Sequence, residues 1–157
     1  IKAGTRDERR IVLFPGDREE RAEVRRLVDW FHRKLDREVT REMLAEKVYP
    51  HLANTPGHVP DPELLRAIRA NLRYHLSYIA YLADHRRWLA GEQMSFSDLA
   101  AAAHLSCLDY LGEVPWDDYP AVRTWYARLK SRKSMRVILA DRIPGLPPPL
   151  HYANPDF

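Results

Sequence analysis

A capping box near the middle of the chain constrains the fold more than any other feature. Ser95 and Asp98 have the spacing at which a serine caps the third helical N–H and the acid reaches back to the serine N–H. Met94 and Leu99 flank the box where a hydrophobic staple places its two apolar residues. The helix that this box predicts, about 96–111, is apolar on nearly every side, which is typical of a buried helix.

The rest of the sequence also follows helical rather than strand periodicity. One amphipathic helix is predicted from Asp17 to about Glu38, and its pattern continues to Tyr49 after a bend, until Pro50 ends it. A second is predicted over 61–85. A further helix is predicted to begin at Asp118-Tyr119-Pro120 and carries apolar residues up to Leu129. A last short helix is predicted after the cap Ser134 and carries apolar residues up to Leu139. No internal repeat and no strand pattern occurs. The sequence therefore predicts an all-α bundle around a buried central helix.

The length of 157 residues suits one domain of ordinary size. Residues 1–16 are charged and end in Phe-Pro-Gly, so we interpret them as a linker. Residues 17–142 form the predicted helical domain. Residues 143–157 form a proline-rich tail, whose three successive prolines favour an extended segment. The tail either packs on the domain or is offered to a partner, and the sequence supports both.

Composition excludes several classes of protein. A single cysteine is incompatible with a disulfide scaffold or a cysteine zinc cluster. No apolar run reaches the roughly 20 residues of a membrane helix, and no secretion leader opens the chain. We therefore expect a cytoplasmic protein without a membrane span. The seven histidines show no metal-ligand spacing, so we expect no metal site.

A basic stretch lies near the carboxyl end, since residues 123–142 contain seven basic side chains and one acid. A patch of this kind can attract phosphates or acidic partners. The alternative is a solvated helix face, which we favour because Trp125, Tyr126 and Met135 fit helix packing better than groove reading. No nucleic-acid partner is expected.

Two residues of the central helix could suggest nucleophilic chemistry. A Cys–His pair can activate a thiolate, and Cys107 follows His104 by three residues. No third orienting group is evident. We therefore expect Cys107 to be a small buried apolar residue and His104 to be structural. Asp98 is interpreted as a structural cap, and no catalytic residue is predicted.

Several motifs together resemble the C-terminal domain of glutathione transferases over about residues 11–142. Each is weak alone, but their order along the chain is specific. They are the turn Trp88-Leu89-Ala90-Gly91, the box Ser95-x-x-Asp98, the segment Tyr119-Pro120-x-x-x-x-Trp125 and the segment Arg132-Lys133-Ser134. In the last of these, Lys133 replaces the proline of the family pattern.

The resemblance implies a helical bundle that lacks its thioredoxin-like N-terminal domain. In the family that domain activates the thiol of glutathione, so this chain would hold no cofactor itself, while the full-length protein could bind glutathione. The helical domain would line the second-substrate pocket and form part of a homodimer interface. The candidates for that pocket are Trp30, Lys34, Tyr110 and Trp116.

A narrower resemblance is to the FzlA-like, FtsZ-binding group of bacterial glutathione-transferase-like proteins. It rests on residues 21–26, 38–40, 85–91, 98–104 and 147–152 and on the terminal Asp-Phe. This group implies a cytoplasmic homodimer that binds the division tubulin FtsZ without known transferase chemistry. The alternative is an active transferase that conjugates glutathione to small electrophiles, and the sequence leaves enzymatic activity open.

Overall fold

The computed structural model describes residues 12–156, and within them all regular structure is helical. Most of the predicted linker, residues 1–11, lies outside the described residues. The helices are α1 (Arg18–Asp29), a π-helical segment (Trp30–Thr40), α2 (Arg41–Lys47), α3 (Tyr49–Leu52), α4 (Pro62–His85), α5 (Phe96–Tyr110), a 3₁₀ turn (Trp116–Asp118), α6 (Pro120–Lys130) and α7 (Lys133–Ala140). The all-α expectation is confirmed.

The central helix of the bundle is α5, which packs against α1, the π-helical segment and α6. Helix α4 covers the π-helical segment and also contacts α6. One continuous apolar core fills the space between these elements. Gly112, at φ +70°, ends α5 in the left-handed conformation that glycine adopts most readily.

The expectation that α5 is buried on every side is wrong for one stripe. Ala103 and Cys107 are exposed, and Phe96, Leu99 and His104 are only partly buried. These positions recur at helical spacing, so they form a single face. Because most residues on that face are small or apolar, hydrophobicity alone did not predict its exposure.

The sequence predicted a helix from Asp17 to about Glu38 whose pattern continues to Tyr49 after a bend, but the structure winds Trp30–Thr40 as a π-helix. Five buried apolar residues recur there at intervals of four, and each is fully buried. An α-helix has 3.6 residues per turn, so it would rotate such a stripe by about 40° at each step. The wider π turn counters that drift. The residues are Leu27, Phe31, Leu35, Val39 and Met43.

Two predicted helix boundaries also differ in the structure. Pro50 does not end helical structure, because it occupies the first turn of the short α3, where a missing N–H has no cost. Helix α7 begins at Lys133, one residue before the expected cap Ser134. None of the helices is long and apolar enough to cross a membrane, as far as the structure describes the chain.

Candidate functional site

The carboxylate of Asp98 is fully buried and accepts hydrogen bonds from three parts of the chain. Its Oδ2 accepts from the backbone N–H of Ser95 at 2.9 Å. Its Oδ1 accepts from the N–H of Leu89 at 3.0 Å and from the indole Nε1 of Trp125 at 2.9 Å. The carboxylate joins the 88–91 turn and α6 to the start of α5, which is a structural role.

The other members of the capping segment pack around this carboxylate. Ser95 is fully buried, and its Oγ lies 2.7 Å from the hydroxyl of Ser97 and 3.3 Å from Asp98 Oδ2. Met94 and Leu99 are partly buried and pack against the core cluster. All of these side chains support the helix start, and none is directed to a surface pocket.

An apolar cavity of about 280 Å³ lies between α2, α5, α7 and the tail. Aliphatic and aromatic side chains dominate its walls, and a few polar groups stand among them, which is the usual character of a small-molecule site. It is the best candidate site in the described part of the chain. Its lining residues are Leu44, Val48, Ser106, Cys107, Tyr110, Leu111, Ile138, Asp141, Arg142, Ile143 and Tyr152.

Tyr110 is the one predicted pocket residue that lines this cavity, and its hydroxyl is already bonded. It donates to the carbonyl of Leu146 at 2.8 Å and accepts from the N–H of Ile143 at 2.7 Å. Its ring meets the buried ring of Tyr152 edge to face, with centroids 5.1 Å apart. Tyr110 therefore holds the tail in place as one wall of the cavity.

Cys107 lines the same cavity, which corrects the expectation that it is buried. Although the residue is exposed, the atoms around its sulfur desolvate it partly, and this burial raises the pKa of the thiol. A raised thiol pKa leaves less thiolate at neutral pH, so the group is a weak nucleophile there.

Trp116 lies at a separate cavity of about 430 Å³ and is nearly buried. Its indole Nε1 donates to Asp109 Oδ1 at 2.8 Å, and its ring stacks on Tyr126 with centroids 4.9 Å apart. His151 of the tail also bonds to Asp109 Oδ1, at 2.8 Å. Trp116 is thus part of a polar cluster that holds the tail, and it lines a different cavity from Tyr110.

The basic stretch contributes a buried cation to this same cluster. Lys130 is only 1% exposed, and its Nζ donates to the carbonyl of His151 at 2.8 Å and lies 3.9 Å from Asp109 Oδ2. Burial lowers the pKa of Lys130, and the nearby Asp109 opposes that effect. The interpretation of residues 123–142 as a solvated face is therefore wrong at this position.

Trp30 and Lys34 lie together on the π-helical segment, facing α4. The indole Nε1 of Trp30 donates to His75 Nδ1 at 3.3 Å, so His75 Nε2 carries the proton that it donates to Glu38 Oε2 at 2.9 Å. Lys34 Nζ donates to Glu38 Oε1 at 2.5 Å and lies over the Trp30 ring. The Lys34 bond is the main reason that the pKa of Glu38 is lowered.

Sequence reasoning missed His75 and Glu38, the two residues that connect Trp30 with Lys34. His75 is fully buried, and burial lowers its pKa, which favours the neutral ring. The available signal was its position beside Leu72, Leu76 and Ile79 on the apolar stripe of α4. A polar residue on such a stripe indicates a buried hydrogen-bond partner.

Most of the helical bundle matches a known protein family. Residues 43–133 match the family described as "Glutathione S-transferase, C-terminal domain". The chain belongs to this family. The bundle around α5 is accordingly the helical domain of the glutathione-transferase fold, as expected.

Two relatives of more than 50% identity indicate the FzlA-like group within this family. The chain is 53% identical over 145 residues to FtsZ-localized protein A of Caulobacter vibrioides, a match that covers 92% of this chain and 63% of that protein. The solved structure of FzlA from C. crescentus aligns with a TM-score of 0.90 at 51% identity, over 96% of this chain and 66% of that one. The FzlA-like resemblance is confirmed.

Bacterial glutathione transferases are also similar. A structure described as a glutathione S-transferase from Rhodospirillum rubrum aligns with a TM-score of 0.88 at 47% identity, over 95% of this chain and 66% of that one. The chain thus spans just under two thirds of the length of the relatives that it matches.

Proposed function

We propose that this chain is the helical domain of an FzlA-like, cytoplasmic protein that associates with FtsZ polymers. One observation carries the proposal: the 53% identity to FtsZ-localized protein A extends over 92% of this chain. A match of that extent includes surface as well as core. In this proposal residues 17–142 form the helical domain and 143–157 form the tail. The described tail residues, 143–156, are docked on the domain.

The chemistry of the described residues supports a binding role more than a catalytic one. The hydroxyl of Tyr110 is bonded to two backbone groups of the tail. The indole N–H groups of Trp30 and Trp116 donate to His75 and Asp109. These side chains have structural partners, so no poised acid, base or nucleophile emerges from them.

We further propose that a homodimer forms through the exposed aromatic face of α4. Tyr74 and Tyr81 are 59% and 58% exposed, and Trp30 and Tyr78 stand beside them as partly buried residues, with ring centroids 5.0 Å apart. Aromatic side chains with a polar tip are enriched in protein interfaces. Replacing Tyr74 and Tyr81 by Glu should therefore convert a dimer to a monomer in sedimentation-velocity experiments.

A second candidate function is glutathione conjugation. It is favoured by the R. rubrum relative, which is described as a glutathione S-transferase, and by the apolar cavity beside Tyr110, which suits an electrophilic second substrate. In this reading the cavity is the second-substrate pocket. The glutathione would bind to a thioredoxin-like domain in the remaining third of a full-length protein.

Two measurements separate these functions. Co-sedimentation with GTP-assembled FtsZ should retain the chain in the pellet, and albumin should remain in the supernatant as the control. Calorimetry with glutathione should be run on this chain and on a longer form that carries the N-terminal third. Glutathione binding by the longer form, without co-sedimentation of either form, would favour glutathione conjugation over FtsZ binding. Co-sedimentation without glutathione binding would support the FtsZ-binding role and exclude glutathione conjugation.

A further inference from the structure

Two histidines from different elements meet on the exposed face of the central helix. His32 lies on the π-helical segment and His104 on α5, and His32 Nδ1 is 3.2 Å from His104 Nε2. The two ring centroids are 5.4 Å apart. The proposed function assigns nothing to this pair, which contacts neither the apolar cavity nor the docked tail.

The orientation of His104 is fixed from behind by a buried hydroxyl. Its Nδ1 lies 2.9 Å from Oγ1 of Thr40, a residue that is only 4% exposed. With the Nδ1 proton donated to that oxygen, the lone pair of Nε2 points towards His32. A metal-binding histidine usually donates its other ring N–H to a hydrogen-bond acceptor, and Thr40 Oγ1 is such an acceptor for His104.

We propose that His32 and His104 form a two-histidine chelate for a divalent transition-metal ion such as Cu²⁺, Ni²⁺ or Zn²⁺. Nitrogen ligands bind zinc at about 2.0–2.1 Å, so two of them in tetrahedral geometry are about 3.3–3.4 Å apart. The observed separation of 3.2 Å is within a few tenths of an ångström of that value.

The surroundings suit an open chelate rather than a closed structural site. No set of three or more His, Cys, Asp or Glu side chains is arranged to hold a metal within residues 12–156, so the protein supplies two ligands. The remaining positions are open to water because His32 is exposed. Imidazole ligands favour copper, nickel and zinc over magnesium or calcium.

The test is metal titration of the whole chain and of three variants. Zn²⁺ binding is measured by calorimetry, and the hyperfine pattern of bound Cu²⁺ is read by electron paramagnetic resonance. The surface variant His32→Asn is the main probe, and His104→Asn is the second. His85→Asn is the matched control, because His85 is an exposed histidine whose Nδ1 bonds only to its own helix at the carbonyl of Tyr81.

The unchanged chain and the His85→Asn variant should bind one equivalent of Zn²⁺ and should show two coordinated imidazole nitrogens on Cu²⁺. Loss of an outer partner commonly costs about 10–100-fold in affinity, so loss of a ligand should weaken binding by at least about tenfold. Unchanged affinity in His32→Asn, or a single coordinated nitrogen in the unchanged chain, would overturn the proposal. Circular dichroism confirms that each variant is folded. FtsZ co-sedimentation of each variant is measured separately, because metal binding does not depend on the proposed FtsZ role.

Discussion

The indole Nε1 of Trp125 donates a 2.9 Å hydrogen bond to Oδ1 of Asp98, so α6 is tied directly to the start of the central helix. Both residues are buried, and 27 positions separate them in the sequence. A helix cap that is usually a local device therefore also organises the tertiary structure. The same carboxylate fixes the preceding turn through the N–H of Leu89.

Replacing Asp98 by Ala should destabilise the fold severely. The change leaves three buried N–H donors without an acceptor, and each unsatisfied donor costs about 1–3 kcal/mol. We expect a loss of at least about 3 kcal/mol in the free energy of unfolding, measured by urea denaturation. The control Asp117→Ala removes a carboxylate whose side chain is 95% exposed, so its effect should stay within about 0.5 kcal/mol. Equal losses in both variants would contradict the role of Asp98.

The parts of the fold that were predictable from the sequence are those encoded by neighbouring residues. The capping residues, the glycine at position 112 and the apolar stripe of α4 are local patterns that specify a helix start, a helix end and a buried face. The π-helical segment was missed because residues spaced by four fit both kinds of helix within a few turns. The repeated interval from Leu27 to Met43 was the available signal.

The candidate site was less predictable because it depends on contacts between distant segments. Lys130 is buried because the tail and the residues around Asp109 cover it, and no pattern near residue 130 indicates this. Cys107 is exposed although it lies on a helix that is apolar almost all round, and no pattern near residue 107 indicates this. Trp30 and Trp116 were grouped as pocket residues, but the structure places them in separate networks.

Replacing Tyr110 by Phe should loosen the tail without unfolding the bundle. The variant keeps the ring against Tyr152 but removes the bonds to Ile143 and Leu146. We expect a loss of about 1–3 kcal/mol in stability and faster hydrogen exchange across residues 143–152, measured by mass spectrometry. The matched control is Tyr49→Phe, since Tyr49 is 53% exposed and lies on α3, away from the proposed dimer face. Unchanged exchange in the tail would show that other contacts hold it.

Cys107 should react slowly with thiol reagents at neutral pH. Burial raises the pKa of its thiol, so the thiolate fraction is smaller than that of a free cysteine, whose pKa is about 8.5. The rate of labelling by N-ethylmaleimide should keep rising beyond pH 8.5, and mass spectrometry should show one adduct, absent from Cys107→Ser. The urea-unfolded chain serves as the reference for the free thiol. A rate that levels off below pH 8 in the folded chain would contradict the raised pKa.

The ion pairs of Glu23 should contribute to stability above about pH 4.5 and lose that contribution in acid. Its carboxylate accepts two 2.7 Å bonds from Arg26 and one of 2.8 Å from Arg86. The Arg26 hydrogen bond makes the largest contribution and lowers the pKa of Glu23. Burial would raise this pKa, but the contacts with Arg26 and Arg86 are together stronger, so it falls from 4.5 to about 2. The unfolded chain therefore binds the proton first, and folding stability falls as the pH drops from 4.5 towards 2. Urea unfolding across this range should show that Glu23→Gln is less stable at pH 6 and that the difference shrinks in acid. The exposed Glu92→Gln serves as the control, and a deficit of Glu23→Gln that stays constant down to pH 2.5 would exclude this linkage.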